Sequence, residues 1–475
     1  MNILTTAGRI GAVVLGFGIS NVPLCDFLLG RGVEVEVRDA KTREALSGSV
    51  DVDAYEKRGV KFTLGEKYLD DIPAAVIFRT PGIRPDAGGI QDAVKRGAIL
   101  TSEMELFYAL CPAYKIAITG SDGKTTTTTL THMILSAVLD KLGNGAKAVL
   151  GGNIGAPLLP QLYVLDDGDY AVAELSSFQL MTFPTSPRTA VITNVTPNHL
   201  NWHTGMEEYI EAKLRILGDG CEHAVLNYGC DITRAAVKRT RAAVTFFTAH
   251  DVEGIDSVDN IVRLIDDEIV LVRGGERILL LARKDIKLPG MHNVENYMAA
   301  LAALYDVDGV PRDVMLECAR EIARTFGGVE HRLEYVREID DVTFYNGSID
   351  SSPTRTAAAL SALGDRKIVI ICGGYDKHIP MRPLAEAVIA HGGVMHTVLT
   401  GATRDLIADA YGEAGIGQSD YTIVPDFDDA VREAYKRAKE LGADTVLLSP
   451  ACASFDAFAN FEERGRHYKS LVNSL

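Results

Sequence analysis

Short runs of valine, isoleucine and leucine alternate with longer stretches in which apolar residues recur every three or four positions, almost throughout the chain. A short continuous apolar run fits a strand buried on both faces, and a 3.6-residue period fits a helix that covers it. Repeated in alternation, the two predict parallel α/β sheets. Residues 11–15, 33–37 and 75–78 are expected as strands and 19–29 as a helix, with Thr80-Pro81-Gly82 turning the chain at the end of the third strand. A helix over 102–110 is expected to stop before Cys111-Pro112, and a fresh strand at 115–119 opens a second unit. That unit carries a hairpin, 268–273 and 277–282 about Gly274-Gly275, and an alanine-rich helix over 293–304. Beyond Phe326-Gly327-Gly328 the pattern repeats, with strands at 367–372, 397–400 and 444–448. Three α/β domains are therefore predicted: 1–111, 112–327 and 328–475.

The length of 475 residues agrees with three domains. Hydrophobic residues at 47% and charged residues at 24% exclude a largely disordered chain. With 64 acids against 48 bases the net charge is −16, which argues against nucleic acid and anionic membranes as partners. Seven scattered cysteines without a Cys-x-x-Cys pair point to a reducing compartment rather than a disulfide framework or a thiolate zinc site. The N-terminal apolar stretch reads as a strand, not a signal peptide, and no apolar run is long enough to span a membrane. A cytoplasmic enzyme is expected, acting as a monomer.

The strongest local signal is Gly120-Ser121-Asp122-Gly123-Lys124-Thr125-Thr126, placed between a strand and a helix. Glycines let backbone N–H groups curl around phosphate oxygens, the helix N-terminus favours an anion, Lys124 neutralises charge, and Thr125 offers a hydroxyl to Mg²⁺. Ile118 stands where the standard phosphate-loop pattern has its first glycine. The earlier turn Gly16-Phe17-Gly18-Ile19-Ser20-Asn21 imitates a dinucleotide fingerprint, with Asp39 after the next strand and Asn21 in place of the third glycine. Glu174 and His199 each follow an apolar strand, where parallel sheets bind ligands, although residue type alone also fits a surface carboxylate and a loop histidine. Lys213 lies in the helical stretch 207–217, where a lysine ordinarily faces solvent, and Asn293 is well placed to cap a helix. Polar clusters at 346–355, 373–377 and 449–454 also follow strands.

In combination these segments resemble the Mur ligase family of ATP-dependent amide-bond-forming enzymes. The resemblance rests on Gly120–Thr126, Gly152-Asn153-Ile154-Gly155, Glu174–Leu180, Asn194–His199, His292–Asn296, His331-Arg332, Gly373–Lys377, Ser449–Ser454 and Asn460–Gly465, in family order over nearly the whole chain. The phosphate motifs are shared with folylpolyglutamate synthetases, whereas Glu174–Leu180 and Ser449–Asp456 resemble the D-glutamate-adding branch. The resemblance implies a Rossmann-like first domain, a central P-loop-type mononucleotide-binding domain and a Rossmann-like third. It implies ATP on Gly120 to Thr126 with Asn293, Asn296, Arg332 and Asp350, and two Mg²⁺ ions held by Thr125, Glu174, His199 and a carbamylated Lys213. Lys124, Glu174, His199 and Lys213 would be catalytic. The UDP-substrate, UDP-N-acetylmuramoyl-L-alanine, would meet Ile19, Ser20, Ala40, Lys41, Thr80, Asn153 and His199. D-Glutamate would meet Ser351, Lys377, Ser454 and Phe461, after the third domain closes on the others.

Two departures stand out: Gly347 where the family has an aspartate near the ribose, with Asp350 a possible substitute, and Asn201 in place of another aspartate. Three alternatives remain at this level. A nicotinamide oxidoreductase would rest on Gly16 and Gly18 alone and leaves the phosphate loop unexplained. A related ligase could add a different amino acid or act on folate. A non-catalytic nucleotide-binding relative is opposed by Lys124, Glu174, His199 and Lys213, all present.

Overall fold

The computed structural model describes residues 3–200, 202–377 and 379–475; Asn201, one of the two departures, lies outside them. The described residues form three α/β sheets. The first has spatial order Lys61–Leu64, Val35–Asp39, Ala12–Leu15, Val76–Arg79, Ile99–Thr101, with every pair parallel. Strand order reverses between Ala12–Leu15 and Val76–Arg79, so the turns after these two strands flank the crevice where such sheets take ligands.

The second sheet runs Glu276–Ala282, Glu268–Arg273, Ile261–Ile265, Ala243–Thr248, His223–Asn227, Thr189–Ile192, Tyr114–Thr119, Tyr170–Glu174, Ala148–Gly152. Its first three strands pair antiparallel and the others parallel. Thr119 pairs with Ile192 and Ile118 with Glu174, so three adjacent strands deliver the phosphate loop, Asn194 and Glu174 to one sheet end. In the third sheet the order is Glu334–Ile339, Val342–Asn346, Thr445–Leu448, Ile368–Gly373, Val394–Thr400, Tyr421–Ile423, parallel except for the first pair. Adjacent strands again bring three polar clusters, those after Asn346, Gly373 and Leu448, to one end.

The chain condenses into two compact units. One comprises the residues up to Arg283 with Val294–Ile322, and the other Lys284–Asn293 with Ala323–Leu475. The first two sheets share a unit because one apolar core runs from Phe17, Leu24 and Val37 through Leu106 and Phe107 to Leu159, Ala173 and Tyr209. Helix Glu103–Leu110 carries that core from one sheet to the next. Its two buried carboxylates bond across: Glu103 accepts from Leu159 N at 3.1 Å and Glu105 from Thr182 Oγ1 at 2.6 Å. Burial pushes both carboxyls up to about 7. Among the described residues no helix is long and apolar enough to cross a membrane, and all seven cysteines are free.

Several local expectations shift, three of them with a visible cause or consequence. The strand expected over 33–37 lies at Val35–Asp39, because pairing of Ala12 with Val35 sets its start and Asp39 is needed at its end. The helix expected over 207–217 is Met206–Leu214 followed by a 3₁₀ turn, Arg215–Leu217. Asn293 is the third residue of helix Met291–Leu304, not its cap; its side chain donates back to Pro289 O at 2.7 Å.

In the second unit the tie between loops is a buried cation. Arg464, 2% exposed, donates to Ser348 Oγ (3.0 Å), Ser348 O (2.8 Å), Ala453 O (2.9 Å) and Cys452 O (3.1 Å). Burial lowers its pKa to about 10, still fully charged at neutral pH. Arg464→Ala strands the carbonyls of Ser348 and Cys452, leaves Ala453 O only the Tyr375 N–H, and is expected to cost about 3 kcal/mol or more. A circular-dichroism melt checks this: an unchanged midpoint would refute the tie.

Candidate active site

The phosphate loop is held open by neighbours on both sides. Gly120 (φ +149°) and Gly123 (φ +77°) adopt backbone angles that side chains resist, and a Cβ at Gly123 would run into Asn296 Oδ1. Asn194 Oδ1 accepts from Ser121 N (3.2 Å) and Asp122 N (2.9 Å), while Thr193 Oγ1 donates to Asp122 O at 2.6 Å. Helix Lys124–Leu142 starts from the loop, so its dipole and first amides point into the cradle. Lys124 Nζ donates to Ser121 O at 2.8 Å, Thr125 is half-buried and Thr126 buried. Thr127 Oγ1 donates to Asn296 Oδ1 at 3.1 Å, which ties helix Met291–Leu304 to the loop.

Glu174 is 1% exposed. Its Oε1 accepts from Asn153 Nδ2 at 2.7 Å, while Oε2 is buried with no hydrogen-bond partner. An orphaned carboxylate oxygen at this depth fits a cation as its missing partner. Lys213 is also 1% exposed, so it is no solvated face residue. Its Nζ donates to Gly120 O at 2.5 Å and sits 4.6 Å from the Tyr209 ring centroid. Burial pushes the amine down to about 6; Lys124 acts in the same direction, Asp122 and Glu174 against it. His199, exposed and with φ +54°, stacks edge-on to Phe178 at 5.0 Å. Tyr209 was not singled out by sequence, yet its hydroxyl lies 2.9 Å from Ser121 Oγ while its ring backs Lys213. A tyrosine inside a helix gave no sign of that double contact. Among the described residues no three His, Cys, Asp or Glu side chains converge as a ready-made metal cluster.

The first sheet places Ile19 (82% exposed), Ser20, Ala40, Lys41 and Thr80 on the turns at its strand ends. The dinucleotide imitation resolves structurally: Asp39 accepts from Phe17 N at 2.7 Å and Lys41 N at 2.8 Å. Asn21 donates to Leu15 O and Gly16 O. Both residues shape the turn itself, and Asp39 engages the chain's own amides where a dinucleotide fold would offer it to a ribose.

Within the second unit the structure brings Lys377 to Ser351, with Nζ 3.1 Å from Oγ. Burial and the Arg355 cation lower the Lys377 pKa. Ser454 is buried, and Phe461 stacks edge-on to His331 at 5.9 Å. Arg332 is exposed, beside the positive-φ His331. Asp350 is buried, accepts from Ser449 Oγ at 2.9 Å and is pushed up to about 7 by burial. Its Oδ2 lies 2.5 Å from where a Cβ at Gly347 would stand, and Leu448 O 2.7 Å. The Asp350 carboxylate thus fills the room that a side chain at position 347 would need.

Comparison with known proteins agrees with this geometry. Residues 118–304 match the Mur ligase middle domain and 331–452 the Mur ligase glutamate ligase domain. The UDP-N-acetylmuramoylalanine–D-glutamate ligase of Clostridium novyi is 44% identical over 97% of this chain and 96% of its own. The enzyme of that name from Acetivibrio thermocellus is 43% identical over the same shares. A solved UDP-N-acetylmuramate–alanine ligase from Thermotoga maritima shares the fold, with TM-score 0.56 at 19% identity over 98% of this chain and all of the other. Matched along nearly its full length, and with the phosphate loop, Glu174 and Lys213 assembled at one sheet end, the chain belongs to the Mur ligase family.

Proposed function

We propose that this chain is an ATP-dependent ligase of peptidoglycan precursor synthesis that joins D-glutamate to UDP-N-acetylmuramoyl-L-alanine, the pair that its relatives' names print. In this reading residues 1–111 hold the UDP-substrate, 112–327 the ATP and 328–475 the amino acid. The enzyme works as a monomer in the cytoplasm, where seven free thiols persist. The observation that carries the reading is Lys213, an amine buried under the phosphate loop beside the orphaned Glu174 Oε2.

A carboxylate is a poor acyl donor. Its oxygen attacks the γ-phosphorus of ATP, ADP departs, and the acyl phosphate formed is then attacked by the amine of D-glutamate. Phosphate leaves and the amine gives up a proton. The first step brings two anions together, so the main task is to neutralise charge. Lys124, the amides of Gly120 to Thr126 and the helix dipole supply part of that, with Thr193 and Asn194 fixing the loop in advance. Mg²⁺, held by Thr125, Glu174, His199 and Lys213 at two sites, would screen the phosphate charge that remains. A neutral Lys213 amine adds CO₂ and releases a proton, and the carbamate gives it the oxygens that a bare lysine lacks. Asn293, Asn296, Arg332 and Asp350 serve the nucleotide. Ile19, Ser20, Ala40, Lys41, Thr80, Asn153 and His199 serve the sugar nucleotide, and Ser351, Lys377, Ser454 and Phe461 serve D-glutamate.

Phosphate release with UDP-N-acetylmuramoyl-L-alanine and a panel of amino acids tests the reading. D-Glutamate should be used, L-glutamate and meso-diaminopimelate poorly, and Lys377→Ala should raise KM for D-glutamate at least about tenfold more than KM for ATP. Equal use of meso-diaminopimelate, whose distal ammonium Lys377 would repel, would refute it.

Lys124→Ala should lose about a hundredfold or more in turnover, because a fixed cation at the transferring phosphoryl group is removed. A folded variant with near-normal turnover would defeat the ATP assignment.

Lys213 should carry a carbamate, visible by ¹³C NMR with labelled bicarbonate. Since a folded pKa of about 6 leaves the amine neutral above that pH, signal and activity should fall together as pH drops through about 6. Lys213→Ala should be nearly inactive and partly restored by short carboxylates; full activity without them would overturn the assignment.

A further inference from the structure

The turn at 80–83, between the strand Val76–Arg79 and Arg84, is gripped more firmly than a surface loop requires. Arg79, 1% exposed, donates through Nη1 to the carbonyls of Thr80 (3.3 Å), Pro81 (3.1 Å) and Ile83 (2.7 Å). The fourth carbonyl, Gly82 O, accepts from Trp202 Nε1 at 3.3 Å. All four carbonyls of the turn are therefore fixed by two side chains.

Both ends of the turn are also tied to the central sheet. Arg79 Nη2 donates to Phe178 O at 2.9 Å, four residues past Glu174. Arg84 Nη1 donates to Trp202 O at 2.6 Å, three residues past His199, and its guanidinium lies 5.0 Å from the Trp202 ring centroid. Arg84 also pairs with Glu208 at 2.9 Å, on the helix that carries Lys213. That pair is well formed: Arg84 holds the Glu208 carboxyl down to about 2. Plain packing would suffice to join two sheets; here charged forks reach the three segments that present Glu174, His199 and Lys213.

We propose that Arg79 and Arg84 are positioning residues that lock the turn carrying Thr80 to these segments, so that a sugar nucleotide seated on the turn presents its carboxylate to the phosphate loop in a fixed geometry. The proposal rests on the function given above and adds the device that couples substrate seat to reaction centre. Misplacement of a reacting group by about 1 Å costs on the order of a hundredfold in rate, which gives a rigid coupling its use. The device carries its own reporter. Trp202 is the only tryptophan in the chain, and its indole touches the turn, Arg84 and, at 4.4 Å between centroids, Phe178.

The test titrates the full-length protein with UDP-N-acetylmuramoyl-L-alanine while following tryptophan emission, and measures phosphate release in parallel. In the unaltered enzyme, emission should change saturably with the sugar nucleotide. Arg84→Met, at a partly exposed site that should tolerate truncation, should remove that change and raise KM for the sugar nucleotide about tenfold. KM for ATP should stay within about twofold, and Arg84→Lys should recover part of the loss. Arg79→Met should act in the same direction; because Arg79 is buried, Arg84 bears the test if that variant does not fold. Unchanged sugar-nucleotide KM and emission in Arg84→Met would overturn the proposal, as would an equal rise in both KM values together with a lower melting midpoint. Absence of phosphate release by the unaltered enzyme would instead count against the proposed reaction, while the emission titration would still decide the coupling.

Discussion

Two ionisable groups withdrawn from water, Lys213 and Glu174, set the terms for the first unit. Each is 1% exposed, and an unpaired buried charge costs several kcal/mol. The chain answers by placing the amine on Gly120 O, against Tyr209, with its basicity reduced, while one carboxylate oxygen of Glu174 has no hydrogen-bond partner. Gly120 is itself fixed by its neighbours, so the phosphate loop and the lysine hold each other. Tyr209 joins them from one side chain, its ring to Lys213 and its hydroxyl to Ser121. Such polar clusters are stable only when nearly every member is satisfied, and the exception here is Glu174 Oε2.

The second unit applies the same principle with the opposite sign. Arg464, a buried cation, gathers the carbonyls of Ser348, Cys452 and Ala453, so two of the three loops at that sheet end are indexed to one guanidinium. Lys377 reaches Ser351 across a second pair of loops. Gly347 shows how closely this region is packed: Asp350 Oδ2 and Leu448 O both crowd the position, leaving no room for a side chain there.

Between its first two sheets the chain uses polar rather than purely apolar joints. Glu103, Glu105, Arg79 and Arg84 all bond across that junction, and three of them are buried. Hydrogen bonds of this kind specify geometry more than they add stability, because their desolvation offsets most of their gain. An apolar seam tolerates small slips, whereas a guanidinium bonded to named carbonyls does not. That difference gives the junction one fixed geometry.

The sequence by itself determined the α/β class, the three sheets and the strand-end loops, because the period of apolar residues and the glycine-rich turn chemistry are local properties. The phosphate loop was legible for the same reason: Gly120, Gly123 and Lys124 act through backbone angles and charge within seven residues. Family motifs marked Glu174, Lys213 and Lys377, although residue type left the first two open to ordinary surface roles. Only tertiary structure decided that Lys213 is buried, that Asp39 is taken up by the amides of Phe17 and Lys41, and that Asn293 stands inside its helix. Tyr209, Arg79 and Arg84 gave no sequence signal, and Arg464 stood only inside a family motif with no role attached, since each has a deciding partner far away along the chain. Burial and hydrogen-bond partnership are properties of neighbours in space, and no pattern of residues along one segment contains them.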